Sequence, residues 1–329
     1  MKRMIVIFLI LCLSLNGLIC TNVFADSSDE YSEEMLDISK KLLTKIGLWD
    51  ETHSGDGYIT RAEVARIACL LKGADATAFP IIPLYIYDDV PEEHWAYNWI
   101  HLAGRLGRER TSSYMNGDGN GKFRPDDYIT YQELSKVLVL TTYWGPYVEY
   151  VANFKSSNKC MFPDIYYEIA NQIGIYPLKE NNKTAYVTEN DAAVLLYNTI
   201  HIQYLIELMT SPEHWFSHSY EKDNLAQLRF DTYQVRGYAK VIDENKVLID
   251  GVEYIGKIDD ENFSEGLVIC FYESEFYPKE NAVKPIILCS PISSPDFDNQ
   301  KPISDSIPKY FTLSGESSED EWDRDRWDK

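Results

Sequence analysis

Arg61 is the residue of this chain best suited to grip an acid. It stands in the first turn of a helix opened by Thr60, within the run Ile59-Thr60-Arg61-Ala62-Glu63. A guanidinium presents a planar fork of donors that matches a carboxylate bidentately, which a lysine does not. The free backbone N–H groups of a first helical turn favour the same anion. The plainer reading of such an arginine is a solvated helix residue paired with a nearby acid. Calcium binding is the second chemistry to weigh, through Asp56 and Glu63. The run Ser54-Gly55-Asp56-Gly57-Tyr58-Ile59, followed by Glu63, mimics the back half of an EF-hand loop. Its first position would be Thr52, a poor ligand where aspartate is wanted. Asn116, Asp118, Asn120 and Gly121 make another partial match that lacks its first carboxylate and ends in the short Asp127. Structural turns are the stronger reading of both loops. Trp95, beside a helix start, is a candidate platform for a sugar face, whereas Trp99 reads as core.

The helix that carries Arg61 belongs to a set of three. Thr60, Thr130 and Thr188 each precede an acid by three residues (Glu63, Glu133, Asp191), which is the pattern of a capping box. Helix-period apolar stripes follow: Val64, Ile67, Ala68 and Leu71; Leu134, Val137 and Leu138; Ala192, Leu195 and Leu196. A unit recurring at roughly 60-residue spacing turns attention from a single active site to what an array binds.

Composition narrows the classes. Lys2 and Arg3, an apolar run from Met4 to Leu15 and the small exit at Ala25 resemble a secretory signal peptide over residues 1–25. That implies an exported chain with no membrane span after cleavage. A net charge of −21 opposes nucleic acid and anionic membranes as partners. Four cysteines follow the leader, Cys69, Cys160, Cys270 and Cys289, without a Cys-x-x-Cys pair, so a zinc site is disfavoured. Cys270 and Cys289 could bridge neighbouring strands; Cys69 and Cys160 read as small core residues. His214 and His218, four apart, carry no attached acid motif and read as surface residues.

Segment by segment, residues 26–75 hold two helices, the first lined by Met35, Ile38, Leu42, Leu43 and Ile46. Residues 85–145 start at Asp89-Val90, open a helix near His94-Trp95-Ala96, turn through Asn116 to Gly121 and enter the Thr130 helix. Residues 159–207 start near Phe162-Pro163-Asp164 and end in a helix expected to run from Thr188 to Ile206. A polar bridge spans 208–231. Period-two alternation over 232–290 predicts strands at 235–242, 246–249, 252–254, 267–272 and 282–288, forming a small antiparallel barrel or sandwich. The acidic, proline- and serine-rich stretch 291–329 is expected to be disordered. The fold class is α+β.

Asp89-Val90, His94-Trp95-Ala96, Gly107, Gly117-Asp118-Gly119-Asn120-Gly121, Phe123-Arg124-Pro125-Asp126 and Ile129-Thr130, in that order, resemble an S-layer homology (SLH) domain. The first copy keeps only the Ile-Thr-Arg-Ala-Glu signature, and the third is degenerate. The β segment resembles, more loosely, modules that follow such triplets in clostridial surface proteins. The resemblance implies a pseudo-three-fold bundle of helical prongs whose grooves hold an anionic, pyruvylated secondary cell-wall polysaccharide. It further implies that Arg61, with Thr60, is the signature contact, with the loop residue Arg124 and Trp95 nearby. Tyr131 and Glu189 stand where the other two copies would have arginine. A tyrosine can stack on a sugar, but a glutamate would repel a ketal carboxylate. One good groove, one doubtful and one silent is the expectation.

The expected protein is therefore non-catalytic, Gram-positive and wall- or S-layer-associated, with no cofactor. Rival readings are a calcium-dependent adaptor that binds another surface protein through the β module or tail, and a wall hydrolase. No Gly-x-Ser-x-Gly, phosphate loop or His-Glu-x-x-His supports an enzyme.

Overall fold

A computed structural model describes residues 31–318 apart from 54, 78–81, 84–85, 107–112, 156–162, 176–182, 209–214, 219–223, 275–281, 301, 314 and 316. The expected leader, Gly107, Cys160, Phe162, His214 and the end of the acidic tail lie outside the described residues. Three helix pairs come first: α1 (Glu33–Lys45) with α2 (Arg61–Leu71), α3 (Tyr97–Ala103) with α4 (Tyr131–Thr141), and, after the short α5 (Gly145–Tyr150), α6 (Asp164–Gln172) with α7 (Glu189–His201). Packing runs between pairs: α2 lies on α3, α4 on α6, and α7 returns to α1. The last pair thus closes on the first.

Closure is fixed at the backbone. The Ile59 N–H donates to the Val187 carbonyl (3.1 Å), the Ile129 N–H to Ile59 (3.1 Å) and the Val187 N–H to Ile129 (2.9 Å). All three side chains are buried. One residue earlier, extended backbone turns each side chain to the opposite face. There Tyr58, Tyr128 and Tyr186 form a half-exposed ring of aromatics with centroids 5.2, 5.6 and 6.0 Å apart. One residue later come the threonine caps. Glu63 and Glu133 reach back to the Thr60 and Thr130 N–H groups at 2.6 and 3.0 Å, closing both capping boxes. Thr188 accepts from the Asp191 N–H (3.1 Å), but aspartate is one methylene too short to reach back. Its buried carboxylate takes the Tyr31 and Tyr131 hydroxyls instead. Each such cap contributes about 1 kcal/mol.

The third pair departs from the predicted helix to Ile206: α7 stops at His201, and β1 (Leu205–Glu207), at the expected end of that helix, pairs antiparallel with β2 (Trp215–His218) in the stretch read as a polar bridge. Helix α5 was not expected either. Pro146 starts it, and the buried Trp144 anchors it by donating to the Gln203 carbonyl (3.0 Å). Asn224 caps α8 (Leu225–Phe230), which leads into the β module.

That module comprises β3 (Thr232–Asp243), β4 (Lys246–Ile249), β5 (Val252–Ile255), β6 (Glu265–Glu273) and β7 (Ile286–Pro291), antiparallel in the order β5-β4-β3-β6-β7. Among the described residues its two edges meet at one backbone bridge, Ile255 to Pro285, so the sheet is curled and open, neither a closed barrel nor a sandwich. Gly256 lets them approach: a Cβ there would lie 2.7 Å from Ile286. Cys270 and Cys289 are cross-strand partners on β6 and β7, both buried free thiols. The Cys289 contact and burial raise the Cys270 pKa. Burial pushes Cys69 up to about 12, as befits a core residue.

The stretch from 291 does not run free as its composition suggests. Ile292, Phe297, Ile307 and Phe311 are buried, and β8 (Tyr310–Thr312) joins β2 and β9 (Ser317–Ser318) in a second sheet of order β1-β2-β8-β9. Asp298, also buried, accepts from Tyr197 (3.2 Å) and pairs with Arg236. A few well-spaced anchors outweigh an acidic average. Among the described residues no helix is long and apolar enough to cross a membrane. Phe311 sits among Phe216, Tyr147 and Tyr150 at 5.1–5.4 Å between centroids. Phe311→Ala is expected to destabilise the chain by about 3–5 kcal/mol in urea unfolding and to expose residues 292–313 to protease.

Candidate anion groove

Between the start of α2, the loop 114–117 and α4 lies a cavity of 460 Å³. Its lining includes Arg61, Arg124 and Lys136 against one carboxylate, Glu133, with Tyr114, Asn116 and Tyr166 completing the walls. The loop is built for this position. Both oxygens of Asp89 are engaged, accepting from the Phe123 N–H (2.9 Å) and the Arg124 N–H (2.8 Å). Gly117 must be glycine, since a Cβ would lie 2.5 Å from the Lys122 carbonyl and 2.6 Å from the Tyr87 ring. Arg124 itself sits at φ +61°, a left-handed conformation that costs a side-chain-bearing residue about 1–3 kcal/mol. That side chain is exposed, 3.4 Å from Asp127.

Arg61 is not offered to solvent as the sequence suggests. It is 6% exposed; its Nε donates to the Phe123 carbonyl (3.0 Å), Nη2 to the Asn116 carbonyl (2.9 Å), and Nη1 lies 3.5 Å from Glu133. The guanidinium also covers the Phe123 ring at 4.9 Å. Burial lowers its pKa, and Glu133 opposes that shift. Arg61 thus ties α2 to the loop and supplies positive field, while fewer of its donors remain for a ligand. Lys136, which the sequence reading missed, lines the same cavity. Burial, and then Arg61, lower its pKa to about 8. The signal was available: Lys136 lies three residues after Glu133, on the same helical face.

The equivalent positions of the other pairs are closed. Tyr131 is 1% exposed with its hydroxyl on Asp191, so its ring offers no face to a sugar. Glu189 accepts from the Gly55 N–H at 2.6 Å, and a Cβ on Gly57 would lie 2.6 Å from its Oε1. Thr60 is occupied by its cap. Trp95 is exposed and stacks on His94 (6.0 Å), outside the cavity lining.

The calcium candidates do not converge. Asp118 Oδ1 accepts from the Asn120 and Lys122 N–H groups (2.8 and 3.2 Å), which closes the turn. Glu63 serves Thr60 and His53 (2.9 Å), and Asp56 is exposed. Among the described residues no group of three His, Cys, Asp or Glu side chains is placed to hold a metal.

Comparison with known proteins places residues 111–135 in the S-layer homology domain. That match contains seven of the eleven residues lining the cavity: Tyr114, Met115, Asn116, Gly117, Arg124, Ile129 and Glu133. A cell surface protein of Thermoanaerobacter kivui is 30% identical over 126 residues, which is 37% of this chain and 16% of that protein. The chain therefore carries S-layer homology sequence and is similar to part of a much longer surface protein.

Since one buried and one part-buried carbonyl accept from Arg61, Arg61→Ala is expected to destabilise the fold by about 1–3 kcal/mol in denaturant titration. A loss below about 1 kcal/mol would show that the bonds to Phe123 and Asn116 are not formed in solution.

Proposed function

We propose that this is an exported, non-catalytic protein held at the bacterial cell wall by its first groove, which binds an anionic secondary wall polysaccharide through carboxylate groups such as pyruvate ketals. What supports this is the concentration of Arg61, Arg124 and Lys136 around one cavity in a chain of net charge −21. The overlap of that cavity with the S-layer homology match points the same way. Arg124 and Lys136 are the direct contacts, and Arg61 is a positioning residue. In this reading three SLH-like units build the body, but only the junction of the first and second is a binding groove. The filled second and third sites follow from Tyr131 and Glu189.

The test is co-sedimentation with cell walls that carry or lack their secondary polymer, using variants outside the Arg61 scaffold. Lys136→Gln and Arg124→Ser are each expected to weaken retention about tenfold, the loss of one hydrogen bond to a charged group. Lys136 loses its proton as pH rises through about 8, so retention should fall between pH 7 and 9, and Lys136→Gln should flatten that fall. Undiminished retention by both variants, or equal retention on stripped walls, would remove the groove from anchoring. Clearing of a wall-containing gel would overturn the non-catalytic part.

A further inference from the structure

Cys270 and Cys289 face each other across the ladder between β6 and β7, where Ile269 opposes Ser290 and Phe271 opposes Leu288. Opposed residues of an antiparallel pair alternate between those that exchange backbone hydrogen bonds and those that do not, and side chains lie closer in the second kind. The Ile292 N–H donates to the Leu267 carbonyl (3.0 Å), which marks Leu267 and Ile292 as an exchanging pair. Three steps along the register, Cys270 and Cys289 form a pair of the other kind. The Cys289 carbonyl agrees, because it turns away from β6 to accept from the Asp259 N–H (2.7 Å). Such a pair has its Cα atoms about 4.5 Å apart, within the roughly 4.4–6.8 Å that a disulfide spans. Both side chains are buried in the small core with Ala239, Val247, Ile249 and Tyr254, and the two thiols are in hydrogen-bond contact. Cys69, by contrast, has its Sγ on the Trp99 carbonyl (3.5 Å).

We propose that Cys270 and Cys289 are a covalent modification site, joined by oxidation into a cross-strand disulfide that fastens β7 to the rest of the module. The plainer reading is a pair of small core side chains; the opposed register and the shared face are what favour a bond. β7 is where a link has an effect, because it ends the hydrogen-bonded order of its sheet. The bond would close residues 270–289 into a loop and so restrict the unfolded chain. The oxidant is a small-molecule disulfide. One cysteine sulfur attacks it, forming a mixed disulfide and releasing one thiol, and the second cysteine sulfur then displaces the other. The two protons lost by the cysteines are taken up by the two thiols released, so the small disulfide is reduced as the pair is oxidised. The Cys289 contact and burial raise the Cys270 pKa, which slows attack by that sulfur in the packed state. Exchange therefore proceeds while β7 is detached, during folding or local opening. The inference stands on strand register and does not depend on the wall-binding groove.

The experiment equilibrates the full chain with reduced and oxidised glutathione at a series of ratios, once folded and once in urea. Acid quenching, alkylation of free thiols in denaturant and peptide mapping without reduction then locate the bonds. The folded chain should yield a linked peptide pair containing Cys270 and Cys289, with Cys69 alkylated. A link that stabilises the fold is stabilised by the fold to the same degree. The effective concentration of one thiol for the other should therefore be about a hundredfold higher in the folded chain than in urea. The linked chain should also unfold at a higher urea concentration than the reduced chain. Cys289→Ala should abolish both the linked pair and that difference in unfolding, whereas Cys69→Ala should leave the link in place. A folded chain without the linked pair, an effective concentration no higher than in urea, Cys270 held as a mixed disulfide with glutathione, or a linked chain less resistant to urea would each overturn the proposal.

Discussion

Three backbone hydrogen bonds, Ile59 to Val187, Ile129 to Ile59 and Val187 to Ile129, hold the helical body in a closed cycle. Each of these residues is both donor and acceptor, and each side chain is buried, so no one of them can leave without orphaning groups on the other two. Threonine caps follow immediately, which sets the start of α2, α4 and α7 relative to this ring. The same closure brings α7 back onto α1 across nearly the whole helical region. Loop-closure entropy grows only slowly with length, so such a long-range return is affordable once its apolar faces are buried.

A cyclic scaffold poses the same chemical question three times, and this chain answers it differently each time. At the position after the capping threonine stand Arg61, Tyr131 and Glu189. Arg61 bridges to a neighbouring loop and leaves a cavity beside it lined by two further cations. Tyr131 fills its place with a ring and satisfies a buried aspartate. Glu189 folds onto glycine backbone at the third. The aspartate that replaces glutamate in the third cap is part of the same divergence, because its short carboxylate is left to receive Tyr31 and Tyr131. Symmetry of backbone has therefore been kept where symmetry of side-chain function has not.

The sequence showed the frame better than the fillings. Capping patterns at Thr60, Thr130 and Thr188 located all three second helices, because a cap depends on residues three apart. Period-two alternation located the β strands for the same local reason, with the last displaced to 286–291. What escaped depended on distant partners. Arg61 looked like an exposed contact because nothing local shows that Phe123 and Asn116 would take its donors. Residues 291–313 looked disordered because composition averages over Phe297 and Phe311, whose pockets are made by helices far back in the chain. Tyr58, Tyr128 and Tyr186 precede the three caps in plain view. Their mutual contact becomes apparent only when the cycle closes.

Charge placement ties the groove to the chain as a whole. A net charge of −21 would repel an acidic polymer at long range, but that field is screened beyond roughly 8 Å at physiological ionic strength. Within that distance the local set governs: the cavity lining holds Arg61, Arg124 and Lys136 with Glu133, and Asp127 pairs with Arg124. If the groove binds as proposed, it would capture an anion only at contact, which would favour one bound geometry over many.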